Sequence, residues 1–182
     1  MIHMHYSRQK LAEPLGHKKM LAVVDTNVLM VANKKNKAAS SGCIQVCADQ
    51  LHEIASAGKV VLDDEWRILH EYGKHLNPSG QPGFGDFFYK WVLTNRKNPL
   101  RCELVKITPL SADIENFLEF PGDKRLEDFD PSDRKFIAVS MAHHRHPPVL
   151  QALDSEWWKF KTELEDNEVN VVFLCEADIS GI

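Results

Sequence analysis

The chain has no apolar run near the roughly 18 residues of a membrane-spanning helix; its longest runs are strand-sized. That excludes a helical membrane anchor. The first stretch, MIHMHYSRQKLAEPLGHKK, lacks the apolar core of a secretory signal. It is read as an N-terminal extension (1–19) ahead of a single domain (20–182). No G-x-G-x-x-G follows the first apolar strand and no G-x-S-x-G occurs, which removes a dinucleotide site and a serine-hydrolase elbow. Internal repeats and low-complexity tracts are absent. So is a basic excess: 22 Lys and Arg against 26 Asp and Glu leave a formal charge of −4. A protein wrapped in nucleic acid is excluded on that balance, but an enzyme acting on one is not, because metal-binding carboxylates lower the count.

Cysteine is scarce. Cys43, Cys47, Cys102 and Cys175 contain no C-x-x-C pair, and Cys43 and Cys47 stand at helical i, i+4 spacing. Buried free thiols in a reducing, cytoplasmic setting are expected, rather than a zinc site or disulfides.

Apolar strands alternate with amphipathic helices. LAVV (21–24) is a strand covered on both faces, and Ser41 is placed to cap a helix with Ile44, Cys47, Leu51 and Ile54 on one stripe, stopped at Gly58. KVVLDD is a strand. EWRILHEYGKHL is a helix with Ile68, Leu69, Tyr72 and Leu76 inward. Residues 77–85 are a loop, and the following helix turns Phe84, Phe88 and Trp91 or Val92 inward. CELVKI is a strand and SADIENFLEF a helix ended by Pro121 and Gly122. DPSDRKFIAVSMAHHRH is the best-marked helix, with Asp130 as N-cap, Pro131 at the first helical position and Asp133 at the third. PVLQALD is a strand, SEWWKFKTELED one helix, and VNVVFLC the last strand. The pattern predicts an α/β fold: a central parallel sheet between two helical layers.

Such sheets place ligands at the carboxyl ends of their strands. Asp25 ends the first strand and Asp154 ends PVLQAL; Glu71 flanks an inward helical stripe, and Asp133 opens a helix facing the same rim. Four carboxylates on one rim repel one another unless protons or cations neutralise them. Hard oxygen donors suit Mg²⁺ or Mn²⁺. Asp63, Asp64 and Glu65 crowd the second strand's end, so the second acid is Glu71 or one of these.

VVDTNVLM, the acid in ILHEYGKHL, DPSDRKFIAVSM and ALD, in that order, closely resemble the motifs of PIN-domain nucleases over roughly residues 20 to 176. The resemblance implies that Asp25, Glu71, Asp133 and Asp154 hold one or two Mg²⁺ or Mn²⁺ ions, with Thr26 and Asn27 supporting Asp25. It implies hydrolysis of phosphodiesters, most often in single-stranded RNA. An antitoxin-type inhibitory protein is a partner implied by the resemblance only; a homodimer is a separate expectation. A structure-selective DNA nuclease and a non-cutting RNA- or protein-binding module remain as alternatives.

Each residue also has a plainer role. Asp25 and Asp154 are natural helix caps, Asp133 completes a capping box from Asp130, and Glu71 is a solvated helix acid. Asp130 and Asp64 are reserve ligands. HHRH (143–146) resembles a soft-metal site, but a helix C-terminus favours cationic side chains without metal. Lys34 and Lys35 are candidates for nucleic-acid contact on a face otherwise read as solvated. Trp157 belongs with Phe160 and Leu164 inside. Trp158, off that stripe, is set either for base stacking or for packing against a helix or a second copy.

Overall fold

The computed structural model describes residues 20–111 and 115–179; the extension 1–19 lies outside them. Five strands form one parallel sheet: β1 (Leu21–Val24), β2 (Lys59–Asp63), β3 (Cys102–Val105), β4 (Val149–Gln151) and β5 (Val171–Phe173), in the spatial order β3-β2-β1-β4-β5. β1 is central and buried at every position, as an unbroken apolar strand with both faces covered must be.

α1 (Thr26–Ala32) and α2 (Ser41–Ala57) join β1 to β2, and α3 (Arg67–His75) and α4 (Phe84–Asn95) join β2 to β3. α5 (Arg134–Ala142) precedes β4, α6 (Ser155–Lys159) and α7 (Lys161–Asp166) lead to β5, and α8 (Glu176–Ile179) follows it. Right-handed crossovers running outward from β1 in both directions place α1–α4 over one face and α5–α7 over the other, giving three layers. The strand order reverses between β1 and β4. Their carboxyl ends therefore splay open a crevice of the kind in which open α/β sheets bind ligands.

The helices bury the stripes that their spacing predicts. On α2 these are Cys43, Cys47, Leu51 and Ile54, and on α3 they are Ile68, Leu69 and Tyr72. α1 and α4 touch closely because position 85 is glycine: a Cβ there would stand 2.1 Å from the Leu29 carbonyl oxygen. The Asn33 side chain bonds the Gly85 N–H at 2.7 Å across the same junction, which steadies the helix leading away from Asp25. Among the described residues no helix is long and apolar enough to cross a membrane.

Several expectations need correction. Ser40, one residue before Ser41, caps α2 by accepting from the Cys43 N–H. Phe84 is 38% exposed; as the first residue of α4, it packs edge-on against His52 and beside Phe87 rather than in the core. The helix expected over 111–120 is absent from its described part. The described flanks instead pair with each other, Leu118 N–H donating to the Thr108 carbonyl and Leu110 N–H to that of Asn116. The long helix over 155–166 breaks at Phe160, whose ring is buried against Phe129. The cysteines are not all free: Cys43 and Cys175 form a disulfide, while Cys47 and Cys102 are buried thiols. A bridge spanning 132 positions leaves no signature in local spacing.

Candidate functional site

Asp25 follows β1 directly and is 4% exposed. Its Oδ1 accepts the Asn27 N–H at 2.7 Å, so it does cap α1. Capping also fixes the carboxylate at the mouth of the crevice. There, carboxylate oxygens of Asp25, Glu71 and Asp133 lie within 4.8 Å of one another.

The two residues after Asp25 each hold another part of the site. Thr26 Oγ1 donates to Glu71 Oε1 at 2.6 Å, tying α1 to α3. Asn27 Oδ1 accepts the Leu153 N–H at 2.9 Å, pinning the chain leaving β4 against α1 and so placing Asp154. Asp-Thr-Asn at this strand end thus aligns three segments, which an ordinary turn would not do.

Asp133 does not complete a capping box. Asp130 Oδ1 caps a short 3-10 turn through the Ser132 N–H, and its own N–H donates to Glu156. Asp133 is freed for the cluster, where its Oδ2 accepts from the indole N–H of fully buried Trp157 at 2.8 Å. Asp154 caps α6, accepting from the N–H groups of Glu156 and Trp157. It stands outside the tight trio, but its charge acts on both Asp25 and Asp133.

Asp25 and Asp133 have no ion-pair partner among the described residues. Burial, and then the charges of Asp133, Glu71 and Asp154, hold the Asp25 carboxyl well above the usual range, against the pull of the Asn27 N–H. Burial likewise pushes Asp133 up to about 7, helped by the charges of Asp154, Glu71 and Asp130 and opposed by Trp157. A divalent cation would relieve both.

One cation is built in. Lys135, 3% exposed, forms an ion pair with Glu71, lies 3.3 Å from Glu115, and donates to the Ser132 carbonyl. Burial disfavours its charge, yet Glu71 and Glu115 together hold the ammonium above its ordinary value. The sequence reading missed it. Every residue from Arg134 to Ser140 is buried, and a helix enclosed all round must pair any charge it carries, but that enclosure comes from packing and is not marked in the sequence.

The competing acids at β2 have other duties. Asp63 caps α3, accepting the N–H groups of Arg67 and Ile68; Asp64 is exposed; and Glu65 pairs with Arg67 at 2.7 Å. Of these acids and Glu71, only Glu71 joins the cluster. Lys34 and Lys35 follow the far end of α1, about 10 Å along its axis from Asp25. Lys35 bonds the His75 carbonyl oxygen there. Trp158 packs edge-on to Phe173, with the Lys161 ammonium over its ring. His143 is buried and bonds Glu103 at 2.9 Å, so a specific partner accompanies its place after α5. Among the described residues no histidine joins the acidic cluster.

Comparisons with models of known protein families, with curated proteins and with solved structures each found no match.

Proposed function

We propose that this protein is a divalent-metal-dependent endonuclease acting on single-stranded nucleic acid, RNA first. The observation carrying this reading is the convergence of Asp25, Glu71 and Asp133 at the β1 rim, with Asp154 close enough to act on two of them. The donor set is all hard oxygen, with Asp25 buried, Glu71 and Asp133 half-buried, and Lys135 the one cation paired into it among the described residues, and so fits Mg²⁺ or Mn²⁺. Bound there, such an ion supplies Lewis acidity and lowers the pKa of a coordinated water. The chain's own part is positional. Asn27 holds Asp25 and the Asp154 segment in register, Thr26 and Lys135 hold Glu71 from two sides, and Trp157 fixes the rotamer of Asp133.

The resemblance to PIN-domain nucleases favours RNA over structured DNA, and a cytoplasmic location now rests on that substrate alone, because Cys43 and Cys175 are bonded. An antitoxin-type partner rests on the resemblance only, and homodimerisation rests on Trp158, whose ring meets Phe173 and Lys161 of its own chain. A second reading, a non-cutting binding module, draws on Lys135: its ammonium already supplies a positive charge to Glu71.

The test is cleavage of labelled single-stranded RNA and DNA in Mn²⁺, Mg²⁺ or EDTA, with Asp25→Asn and Asp154→Asn prepared identically. Removing a ligand is expected to cost on the order of 100-fold or more in rate, since even outer-shell partners of metal sites cost about 10–100-fold. Cutting that persists in both variants rejects the site; metal-independent silence from folded wild-type protein favours the binding module.

A further inference from the structure

Trp66 is the most exposed tryptophan, at 39%, and it stands between β2 and α3 at the same strand-end edge as Asp25. Its backbone is left-handed, with φ of 69°. A bulky side chain there is strained where glycine or asparagine would rest easily, and such strain concentrates at functional positions. Among the described residues no aromatic ring packs against the indole. Its ring neighbour is the guanidinium of Arg96, 4.2 Å from the ring centroid.

Arg96 is itself held fast. It is about nine-tenths buried, its Nη2 donates to the Asp64 carbonyl oxygen at 2.6 Å, and its Nε has no partner. The indole is therefore backed by an immobilised cation. The surroundings are poor in free positive charge: Arg67 is paired with Glu65, and Asp64 is exposed beside the ring. A phosphate gains little here, whereas the face of a base loses nothing. Glu71 lies five residues further along α3, an axial span of about two stacked nucleotides.

We infer that Trp66, backed by Arg96, is the platform on which an unpaired base stacks about two nucleotides from the acidic cluster. Purines, with the larger overlap, are preferred to pyrimidines. The inference deepens the nuclease reading and rests on it for the identity of the ligand. Stacking tolerates any base, so the platform supplies grip and register rather than a sequence code.

The test is fluorescence anisotropy of labelled eight-nucleotide oligoadenylate RNA, and of the same strand with abasic positions, bound to the full chain in EDTA so that nothing is cut. Trp66→Gly suits the left-handed backbone and is expected to fold with Tm within a few degrees of wild type. It should still bind the intact strand on the order of 10-fold more weakly. Trp66→Phe should keep most of the affinity, and neither change should alter binding of the abasic strand. Equal binding of intact RNA by wild type and Trp66→Gly overturns the platform while leaving the metal-dependent cleavage assay to judge the nuclease. An equal loss on both strands also overturns it, since the effect is then not stacking. A base-dependent loss in a protein that never cuts supports the platform and rejects only the nuclease.

Discussion

Two groups of acids in this molecule live under opposite conditions. Glu103, on the outer strand β3, accepts from Lys59 at 2.7 Å and from His143 at 2.9 Å, and these hydrogen bonds hold its carboxyl down at about 2. Asp25 and Asp133, at the central strand's end, have one N–H each as an opposing influence and several negative neighbours, and both are raised. Glu103 is paired on both sides. Asp25 and Asp133 are not, and the fold holds them in place through a helix cap, a threonine bridge, an asparagine tie and a buried indole. Crowded, perturbed acids of this kind make the rim the candidate binding site.

The contrast breaks hardest at Lys135. Lys135→Met leaves Glu71 facing Asp25 and Asp133 with no ammonium beside it. Loss of one partner of a buried pair is expected to destabilise the metal-free protein by about 2–4 kcal/mol, with saturating Mn²⁺ restoring part of the loss. Denaturant unfolding with and without Mn²⁺ checks this; an equal loss in both conditions would show that Lys135 serves packing alone.

Asp133→Asn sharpens the comparison. With the folded carboxyl raised to about 7, the unfolded chain gives up this proton first as pH rises. This group therefore costs stability progressively from about pH 4 to 7, and the cost is complete above 7. The amide has no proton to lose, so the metal-free variant should gain about 1–2 kcal/mol at pH 8 and almost nothing at pH 4. Thermal melts across that range would show a flattened slope.

Glu103→Gln should give the smallest effect and the opposite sign. The carboxyl is depressed, so its contribution is present above its unfolded pKa and fades as pH falls toward about 2. The pair is partly exposed, and the substitution should cost about 0.5–1 kcal/mol at pH 7, with the difference closing at acid pH.

Much of this was legible before any coordinates. The apolar run before Asp25 marked a central strand, and the acids ending β1 and β4 or opening the 130s helix could be placed on one rim from topology alone. Neighbouring acids at β2 looked equivalent because one-dimensional spacing does not say which carboxylate is used up as a cap; Asp63 is, and Glu71 is not. Lys135 drew no reading from the sequence, since enclosure of α5 depends on what packs around it. Trp66 was silent for a similar reason: a left-handed backbone is set by the turn between β2 and α3, and nothing in Asp-Glu-Trp-Arg announces it. The break at Phe160 arises from a ring seated against Phe129, thirty-one positions earlier, which helical periodicity cannot register.

The central claim is that the crowded acids at the β1 end form a divalent-metal site. The most direct measurement is calorimetric titration of Mn²⁺ into the full chain at pH 8, beside Asp25→Asn, with folding of both verified by melts. The account predicts saturable binding by the wild type and its loss, or weakening by at least about tenfold, in the variant. Binding that is unchanged in Asp25→Asn, or absent from a folded wild type, would contradict it.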